Sequence, residues 1–269
     1  MNFNEPTTRR NACYLVAAAG LSAVGYSVMP AMAQKKPKLD VVYVPTPQLV
    51  VDRMLELAGV KADNYVIDLG CGDGRMIVTA ATRYGARGYG VDIDPERIQE
   101  ANASAKKAGV TDKVSFKVAD LFGESLAKAD VMTMYLLTEI NLKLRPKILS
   151  ELKPGARVVS HAFAMGDWEA DTHEVVDSKD VYLWYVPAKV QGAWAFEGEE
   201  SMQLRLTQQY QNVTGDGTVD GRAVKVSGKL KGTEITLNVE VDGKRSELRG
   251  QVEGKTIKGT GGNWTARQA

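Results

Sequence analysis

Apolar residues recur along the chain in two different patterns, and the first of them occupies residues 41–187. There, short apolar runs typical of buried strands alternate with segments in which apolar residues have the spacing of an amphipathic helix. This alternation predicts an α/β domain with a doubly wound, mostly parallel sheet covered by helices. Strands are predicted over residues 65–69, 88–92, 114–119, 131–135 and 157–163, and helices over 75–84, 95–108 and 142–152.

The second pattern begins at about Gln191. Half of the 26 glycines lie in the last 82 residues, where they separate short apolar runs. Short strands with regularly spaced turns are typical of an antiparallel meander. Residues 191–269 are therefore predicted to form a small antiparallel all-β barrel or sandwich, with Trp194 and Trp264 in its core. Nothing in this segment has catalytic spacing, so its role stays unassigned at this point.

The first 33 residues have the pattern of a signal peptide. Arg9 and Arg10 precede an apolar stretch that ends near Met29, and residues 31–33 read Ala-Met-Ala, the small-x-small form of a cleavage site. The paired arginines fit either the twin-arginine or the general secretory route. We expect an exported protein that is periplasmic after cleavage, or alternatively one anchored to the inner membrane by an uncleaved segment. Membrane contact is expected through this segment only.

Composition and charge exclude several classes of protein. Hydrophobic residues make up 44% and charged residues 25% of the chain, as in ordinary folded proteins. With 34 basic and 33 acidic residues the chain has no overall positive field, so we expect no nucleic-acid partner. Cys71 is the one cysteine beyond the predicted signal peptide, which leaves no pair for an intramolecular disulfide. His161 and His173 lack metal-ligand spacing, so no metal site is predicted.

A glycine-rich turn joins a predicted strand to a predicted helix at residues 66–75, which read Val-Ile-Asp-Leu-Gly-Cys-Gly-Asp-Gly-Arg. Glycines in such a turn let a ligand rest against bare backbone at the carboxyl end of the strand. A dinucleotide-binding turn requires a small residue where this sequence has Arg75. Asp68 would repel a pyrophosphate, but it would attract the ammonium and sulfonium groups of S-adenosylmethionine. The turn therefore favours this methyl donor over NAD.

Two further carboxylates follow the next predicted strands. Asp92 ends the second strand and could accept hydrogen bonds from both hydroxyls of a ribose. Asp120 ends the third strand and could accept one from an adenine amino group, with Leu121 or Phe122 against the ring. Ligands of open α/β sheets bind at the carboxyl ends of the strands, so these carboxylates are expected to surround one ligand. Asp94 could share the ribose, but it is interpreted as the N-cap of the following helix.

These residues resemble the first motifs of the class I S-adenosylmethionine-dependent methyltransferases, and the resemblance covers about residues 44–187. Residues 44–47, 73–75, 142–152 and 163–168 look more narrowly like the group that contains the ATP synthase c-subunit lysine methyltransferases. The resemblance implies that residues 44–46 close over the cofactor and that Thr46 offers a hydroxyl near its carboxylate. It also implies contacts with the methionine moiety from Asp68, Gly70 and Gly72, with the ribose from Asp92, and with the adenine from Asp120 and Leu121.

The resemblance implies transfer of a methyl group to a nucleophilic nitrogen or oxygen, with a protein lysine as one candidate acceptor. Tyr135 is a candidate for orienting the acceptor, or else an aromatic residue of the core or rim. His161 is a candidate for removing a proton from the acceptor, or else a structural histidine. The sequence departs from the lysine-methylating group in residues 130–138 and 160–161, which leaves the acceptor open. The alternative function is an exported binding or assembly protein that keeps the fold without turnover.

Overall fold

The computed structural model describes residues 43–198 and 200–269. The predicted signal peptide, residues 1–33, lies outside the described residues. Two folded parts follow each other along the described chain, a layered α/β part that ends at Tyr185 and a barrel that begins at Gly192. Among the helices of these residues, none has the length and apolar character needed to cross a membrane.

The α/β part is a seven-stranded sheet with helices on both faces. In chain order its elements are α1 (Gln48–Leu57), β1 (Tyr65–Leu69), α2 (Arg75–Tyr84), β2 (Arg87–Asp92), α3 (Pro95–Ala108), β3 (Val114–Val118), β4 (Val131–Met134), α4 (Thr138–Glu151), β5 (Arg157–His161), β6 (Thr172–Val176) and β7 (Lys179–Tyr185). The strand order is β3-β2-β1-β4-β5-β7-β6. Strands β1 to β5 are parallel to one another, and β7 runs antiparallel to both β5 and β6.

This arrangement confirms the predicted doubly wound, mostly parallel sheet. Helix α1 and the antiparallel strands β6 and β7 were not predicted. Helix α4 begins at Thr138, a full turn before the predicted start at residue 142, and Pro146 lies inside it. The predicted start rested on the spacing of apolar residues alone. The structure shows instead that a further turn precedes the proline and reaches the carboxyl end of β4.

The sheet is covered by two separate apolar layers. On one face, side chains of α1 and α2 such as Val51 and Ile77 are fully buried against the strands. On the other face, Leu144 of α4 and Trp184 of β7 are equally buried. Each such side chain contributes roughly 1.5–3 kcal/mol by leaving water. Asp94 accepts a hydrogen bond from the backbone N–H of Glu96 at 2.9 Å, which confirms its predicted position as the N-cap of α3.

The barrel consists of eight antiparallel strands: β8 (Gly192–Glu197), β9 (Met202–Gln209), β10 (Asn212–Val219), β11 (Arg222–Lys231), β12 (Glu234–Val241), β13 (Lys244–Glu253), β14 (Thr256–Gly259) and β15 (Thr265–Gln268). Pairing of β15 with β8 closes it, so the barrel form of the prediction is confirmed. Trp194 is buried in its core, and its indole N–H donates to the carbonyl of Val190 at 2.7 Å. Trp264 is half-buried and stacks on Phe196. The interior is a packed apolar core.

Candidate active site

A cavity of about 480 Å³ opens at the carboxyl ends of the parallel strands. Its volume falls within the usual range for small-molecule sites. Consecutive strands β1, β2 and β3 supply one end of it, and residues 44–46, β4, α4 and the loop after β5 supply the other. We call the first the polar end, formed around Asp68, Gly70, Gly72, Asp92 and Asp120, and the second the aromatic end, formed by Val44, Tyr135, Leu137, Ile140 and Phe163.

The turn after β1 is a cradle of bare backbone. Gly70 and Gly72 have φ angles of 75° and 51°, in the left-handed region that favours glycine. The backbone N–H groups of Gly70 and Cys71 donate to the carbonyl of Val91 at 2.8 and 2.9 Å, which fixes the turn against β2. A Cβ at residue 72 would lie 2.3 Å from the ring of Tyr43. A side chain at this position would therefore displace the Tyr43 ring, which also lines the cavity.

Asp68 and Asp92 bring two carboxylates to this cradle. The side chain of Asp92 accepts hydrogen bonds from the backbone N–H of Gly72 at 3.0 Å and of Asp94 at 2.9 Å. A carboxylate has acceptor sites beyond these two, so Asp92 can still bind hydroxyl groups. Asp68 is buried and accepts from the hydroxyl of Thr133 at 2.7 Å. Burial raises the pKa of Asp68 to about 7, and the negative charge of Asp92 adds to the shift.

The adenine side of the polar end lies beyond β3. Asp120 stands two residues after the strand, where its exposed side chain accepts from the backbone N–H of Phe122 at 2.9 Å. It thereby caps a short 3₁₀ turn, Leu121–Gly123. Leu121 and Phe122, both half-buried, form part of the cavity wall. A carboxylate beside two apolar side chains suits a flat base that carries an amino group.

Residues 43–46 cross the cavity and are held there by two arginines. Arg75 donates to the carbonyl of Thr46 at 2.8 Å, while its Nε binds the carboxylate of Asp73 at 2.9 Å. Arg97 lies over the ring of Tyr43, with its guanidinium carbon 4.7 Å from the ring centre. Arg75, which argued against a dinucleotide in the sequence, therefore holds the segment that covers the cavity. Tyr43 and Arg97 were not predicted from the sequence, because a contact between an isolated tyrosine and a helix arginine has no sequence motif.

Tyr135 and Phe163 face each other at the aromatic end, with ring centres 6.1 Å apart. His161 lies behind Tyr135, at 3.8 Å between ring centres, and is only 1% exposed. Its Nδ1 is hydrogen-bonded to Oγ1 of Thr46 at 3.1 Å. Burial, together with the charge of Lys179, lowers the pKa of His161 to about 4, so the ring is neutral near pH 7.

The structure shows the surroundings of two of these residues. His161 is not among the residues that line the cavity, and the Tyr135 ring packs against it. Of the two sequence interpretations, this arrangement favours the structural histidine, in contact with Tyr135 and Thr46. The Thr46 side chain lines the cavity, but its hydroxyl binds His161 and links residues 43–46 to β5. Cys71 is buried and burial raises the pKa of its thiol, in line with a packing role.

The residues present fit S-adenosylmethionine. The cradle at Gly70 and Gly72 leaves room for the methionine moiety, and Asp68 provides negative charge beside a cationic centre. Asp92 has free acceptor sites for ribose hydroxyls, and Phe122 and Asp120 suit the adenine. Within the described residues, no group of three or more His, Cys, Asp or Glu side chains is arranged to hold a metal ion. The fold and the site together define a class I S-adenosylmethionine-dependent methyltransferase.

Comparison with known proteins gives the same class. Residues 68–172 match the family model of the ANTKMT methyltransferase domain. A protein-lysine N-methyltransferase of Saccharolobus islandicus (strain REY15A) is 47% identical over 151 residues, which cover 54% of this chain and 92% of that protein. The adenine nucleotide translocase lysine N-methyltransferase of Mus musculus is 32% identical, over 57% of this chain and 69% of the relative.

A solved structure also matches. The RNA methyltransferase from Salinibacter ruber in complex with S-adenosyl-L-homocysteine is 48% identical, with a TM-score of 0.54, and the match covers 55% of this chain and 96% of that chain. This chain belongs to the S-adenosylmethionine-dependent methyltransferases, and within them to the group of its two lysine-methylating relatives. The residues that match the family model end at 172, before the first barrel strand.

Proposed function

We propose that this protein transfers a methyl group from S-adenosylmethionine to the side-chain amine of a protein lysine. The observation that carries the proposal is the aromatic end of the cavity. Its wall consists of apolar and aromatic side chains, and it directly adjoins the part of the cradle that fits the methionine moiety. A long apolar side chain with a terminal amine suits such a wall. The names of the two relatives as lysine methyltransferases support the same acceptor.

The chemistry requires an uncharged amine. When bound, S-adenosylmethionine supplies a methyl group that forms a bond to the amine nitrogen, while the methyl–sulfur bond breaks and its electron pair stays on sulfur. An apolar environment disfavours the ammonium form of lysine and so lowers its pKa. Tyr135 and Phe163 provide this environment, and the proton leaves to solvent before transfer. Alignment of the two reactants can contribute roughly 7–11 kcal/mol. His161 supports alignment by holding Tyr135 and Thr46.

An RNA acceptor is the rival suggested by the name of the solved structure. The two arginines beside the cavity do not favour it. Arg75 is paired with Asp73, and Arg97 lies over Tyr43 and pairs with Glu100 at 2.6 Å. The whole chain has a net charge of only +1. Phosphate backbones bind chiefly through free Lys and Arg side chains, so these pairings favour a protein acceptor.

The test is transfer of tritiated methyl groups from S-adenosylmethionine to a bacterial cell-envelope extract. Three portions of the extract are compared: untreated, treated with ribonuclease, and acetylated on its lysines. We expect label in methyl-lysine after acid hydrolysis, unaffected by ribonuclease and lost on acetylation. Label that disappears with ribonuclease would overturn the proposal in favour of RNA. Cofactor binding without any transfer would favour the alternative of a binding or assembly protein.

We further propose that the protein is exported by its N-terminal segment and is located in the periplasm, with an inner-membrane anchor as the alternative. The support is the pattern of residues 1–33, with paired arginines, an apolar stretch and an Ala-Met-Ala site. The methyl donor is made in the cytoplasm, so a route that carries folded proteins would let the chain leave with cofactor bound. Fusion of a periplasm-specific reporter to the C-terminus tests this. Activity of a cytoplasm-specific reporter instead would contradict it.

A further inference from the structure

The loop between β5 and β6, residues 162–171, shapes the aromatic end of the cavity. It begins with Ala162, whose φ of 64° is uncommon for a residue with a Cβ, and continues with Phe163 on the cavity wall. A backbone in such a sparsely populated region persists only where surrounding contacts hold it. The position of the Phe163 ring therefore depends on whatever fixes this loop.

Side chains of the α/β part hold the carbonyl groups of the loop one by one. Ser160 donates to the carbonyl of Phe163 at 2.6 Å, and Asn141 of α4 donates to it at 3.0 Å. Arg145 of α4 donates to the carbonyl of Met165 at 2.8 Å. Each of these bonds satisfies a backbone acceptor that has no partner in a regular strand.

The barrel completes this set of contacts. The two-residue turn between β9 and β10, Tyr210 and Gln211, is in contact with the loop, and we call it the barrel tip. Gln211 is buried, and its amide donates to the carbonyl of Glu169 at 2.9 Å. The ring of Tyr210 stacks on Trp168 with 5.9 Å between ring centres. Its hydroxyl donates to the carboxylate of Asp167 at 3.2 Å.

Arg145 ties the barrel tip to helix α4. Its guanidinium pairs with Asp167 and lies over the Tyr210 ring, with its carbon 5.2 Å from the ring centre. One arginine thus contacts Met165, Asp167 and the barrel tip at once. Because an aromatic stack, a hydrogen bond and a cation–π contact converge on Tyr210, loss of its ring would loosen the whole loop.

The barrel tip is itself held by hydrogen bonds within the barrel. The carbonyl of Tyr210 accepts from the amide of Gln208 at 2.8 Å, and the carbonyl of Gln211 accepts from the backbone N–H of Leu230 at 2.7 Å. Tyr210 has a φ of 54°, which is unfavourable for a bulky side chain. Glycine or asparagine would adopt this backbone conformation with less strain. The chain has Tyr210 there instead, and its ring packs on the loop.

We propose that the barrel serves as an intramolecular brace for the acceptor-binding end of the cavity, with Tyr210 and Gln211 as positioning residues. The inference rests on the proposed assignment of the aromatic end to the acceptor. The polar end is formed by the separate segments 68–94 and 119–122. The brace therefore affects acceptor binding and leaves cofactor binding unchanged.

Amide hydrogen exchange of the full chain tests the brace without any acceptor. The variants are Tyr210→Ala, and Tyr210→Phe, which keeps the ring and loses only the hydroxyl. Lys231→Ala is the matched control, because it removes a different contact between barrel and sheet, that of the Lys231 ammonium with the Tyr185 ring at 5.0 Å. The charge of Lys231 also acts on Asp171, so the control is compared over residues 162–170 of the loop. We expect exchange in residues 162–171 to become about tenfold faster in Tyr210→Ala and less so in Tyr210→Phe. Lys231→Ala should leave the loop as it is.

Unchanged exchange of the loop in Tyr210→Ala would overturn the inference, as would an equal increase along the whole chain. Calorimetric titration then separates the two ends of the cavity. Tyr210→Ala should bind S-adenosylmethionine as the wild type does while its KM for envelope protein rises. A loosened loop together with label in RNA would refute the lysine acceptor and leave the brace intact. Unchanged exchange of the loop together with label in methyl-lysine would refute the brace and leave the lysine acceptor intact.

Discussion

The polar and aromatic ends of the cavity are assembled from the chain in different ways. At the polar end, the backbone groups and carboxylates lie within the last residues of consecutive strands or shortly after them, so each strand supplies its own ligand-binding atoms. At the aromatic end, the wall is assembled from residues 44–46, β4, α4 and the β5–β6 loop. Those segments meet only through tertiary contacts such as the bond between Thr46 and His161, which are 115 residues apart. We infer that substitutions at the polar end affect the cofactor alone, and those at the aromatic end the acceptor.

The largest effect is expected from Asp92→Asn. The amide keeps the shape of the side chain, but it loses the charge and cannot accept from both Gly72 and Asp94 as well as a ribose. We expect affinity for S-adenosylmethionine to fall about 100-fold, since a hydrogen bond to a charged group contributes about 1.5–3 kcal/mol. Isothermal titration calorimetry measures it. Asp94→Asn is the control, because asparagine caps a helix as well as aspartate does. Equal losses in both variants would contradict the assignment of Asp92.

A smaller effect is expected from Gly72→Ala. The added Cβ would meet the Tyr43 ring at 2.3 Å and displace this ring from Gly72, the residue of the polar end on which it packs. Gly59→Ala is the matched control, because Gly59 has a similar φ of 57° and open space around it. Both variants should lose about 1–2 kcal/mol of unfolding free energy through backbone strain, as thermal denaturation would show. Only Gly72→Ala should weaken cofactor binding, by about tenfold, because the displaced Tyr43 ring no longer packs over the bound cofactor. Unchanged binding would disprove this role of Tyr43.

The polar end was more predictable from the sequence than the aromatic end, because its residues are local in the chain and those of the aromatic end meet through tertiary contacts. The glycine turn, Asp68 and Asp92 are local to one strand and the turn after it, so residue type and spacing identify them. Phe163 and His161 were visible only as aromatic or titratable residues near a strand end. Whether they face the cavity depends on Ala162, Arg145 and the barrel tip, which no local pattern specifies. For the same reason the sequence predicted a small antiparallel barrel or sandwich but did not indicate its role.

The pH dependence of cofactor binding tests the role of Asp68 at the polar end. With its pKa near 7, Asp68 is neutral below that pH and negatively charged above it. Affinity for the cationic cofactor should therefore rise between pH 6 and pH 8, by about fivefold for one partly buried charge pair. Asp68→Asn should bind weakly at pH 8 and lose this dependence. Titrations at several pH values measure both. A pH profile that persists in Asp68→Asn would show that another group is responsible.

The most direct test of the division between the two ends compares Phe122→Ala with Phe163→Ala in titrations with S-adenosylmethionine. The substitution is the same, and both side chains are half-buried on the wall of one cavity. Loss of the ring at Phe122 should weaken cofactor binding about fivefold, since an aromatic contact contributes about 1 kcal/mol. Phe163→Ala should bind the cofactor like the wild type and show its defect only toward the methyl acceptor. Equal affinities in the two variants, or a loss confined to Phe163→Ala, would contradict the account.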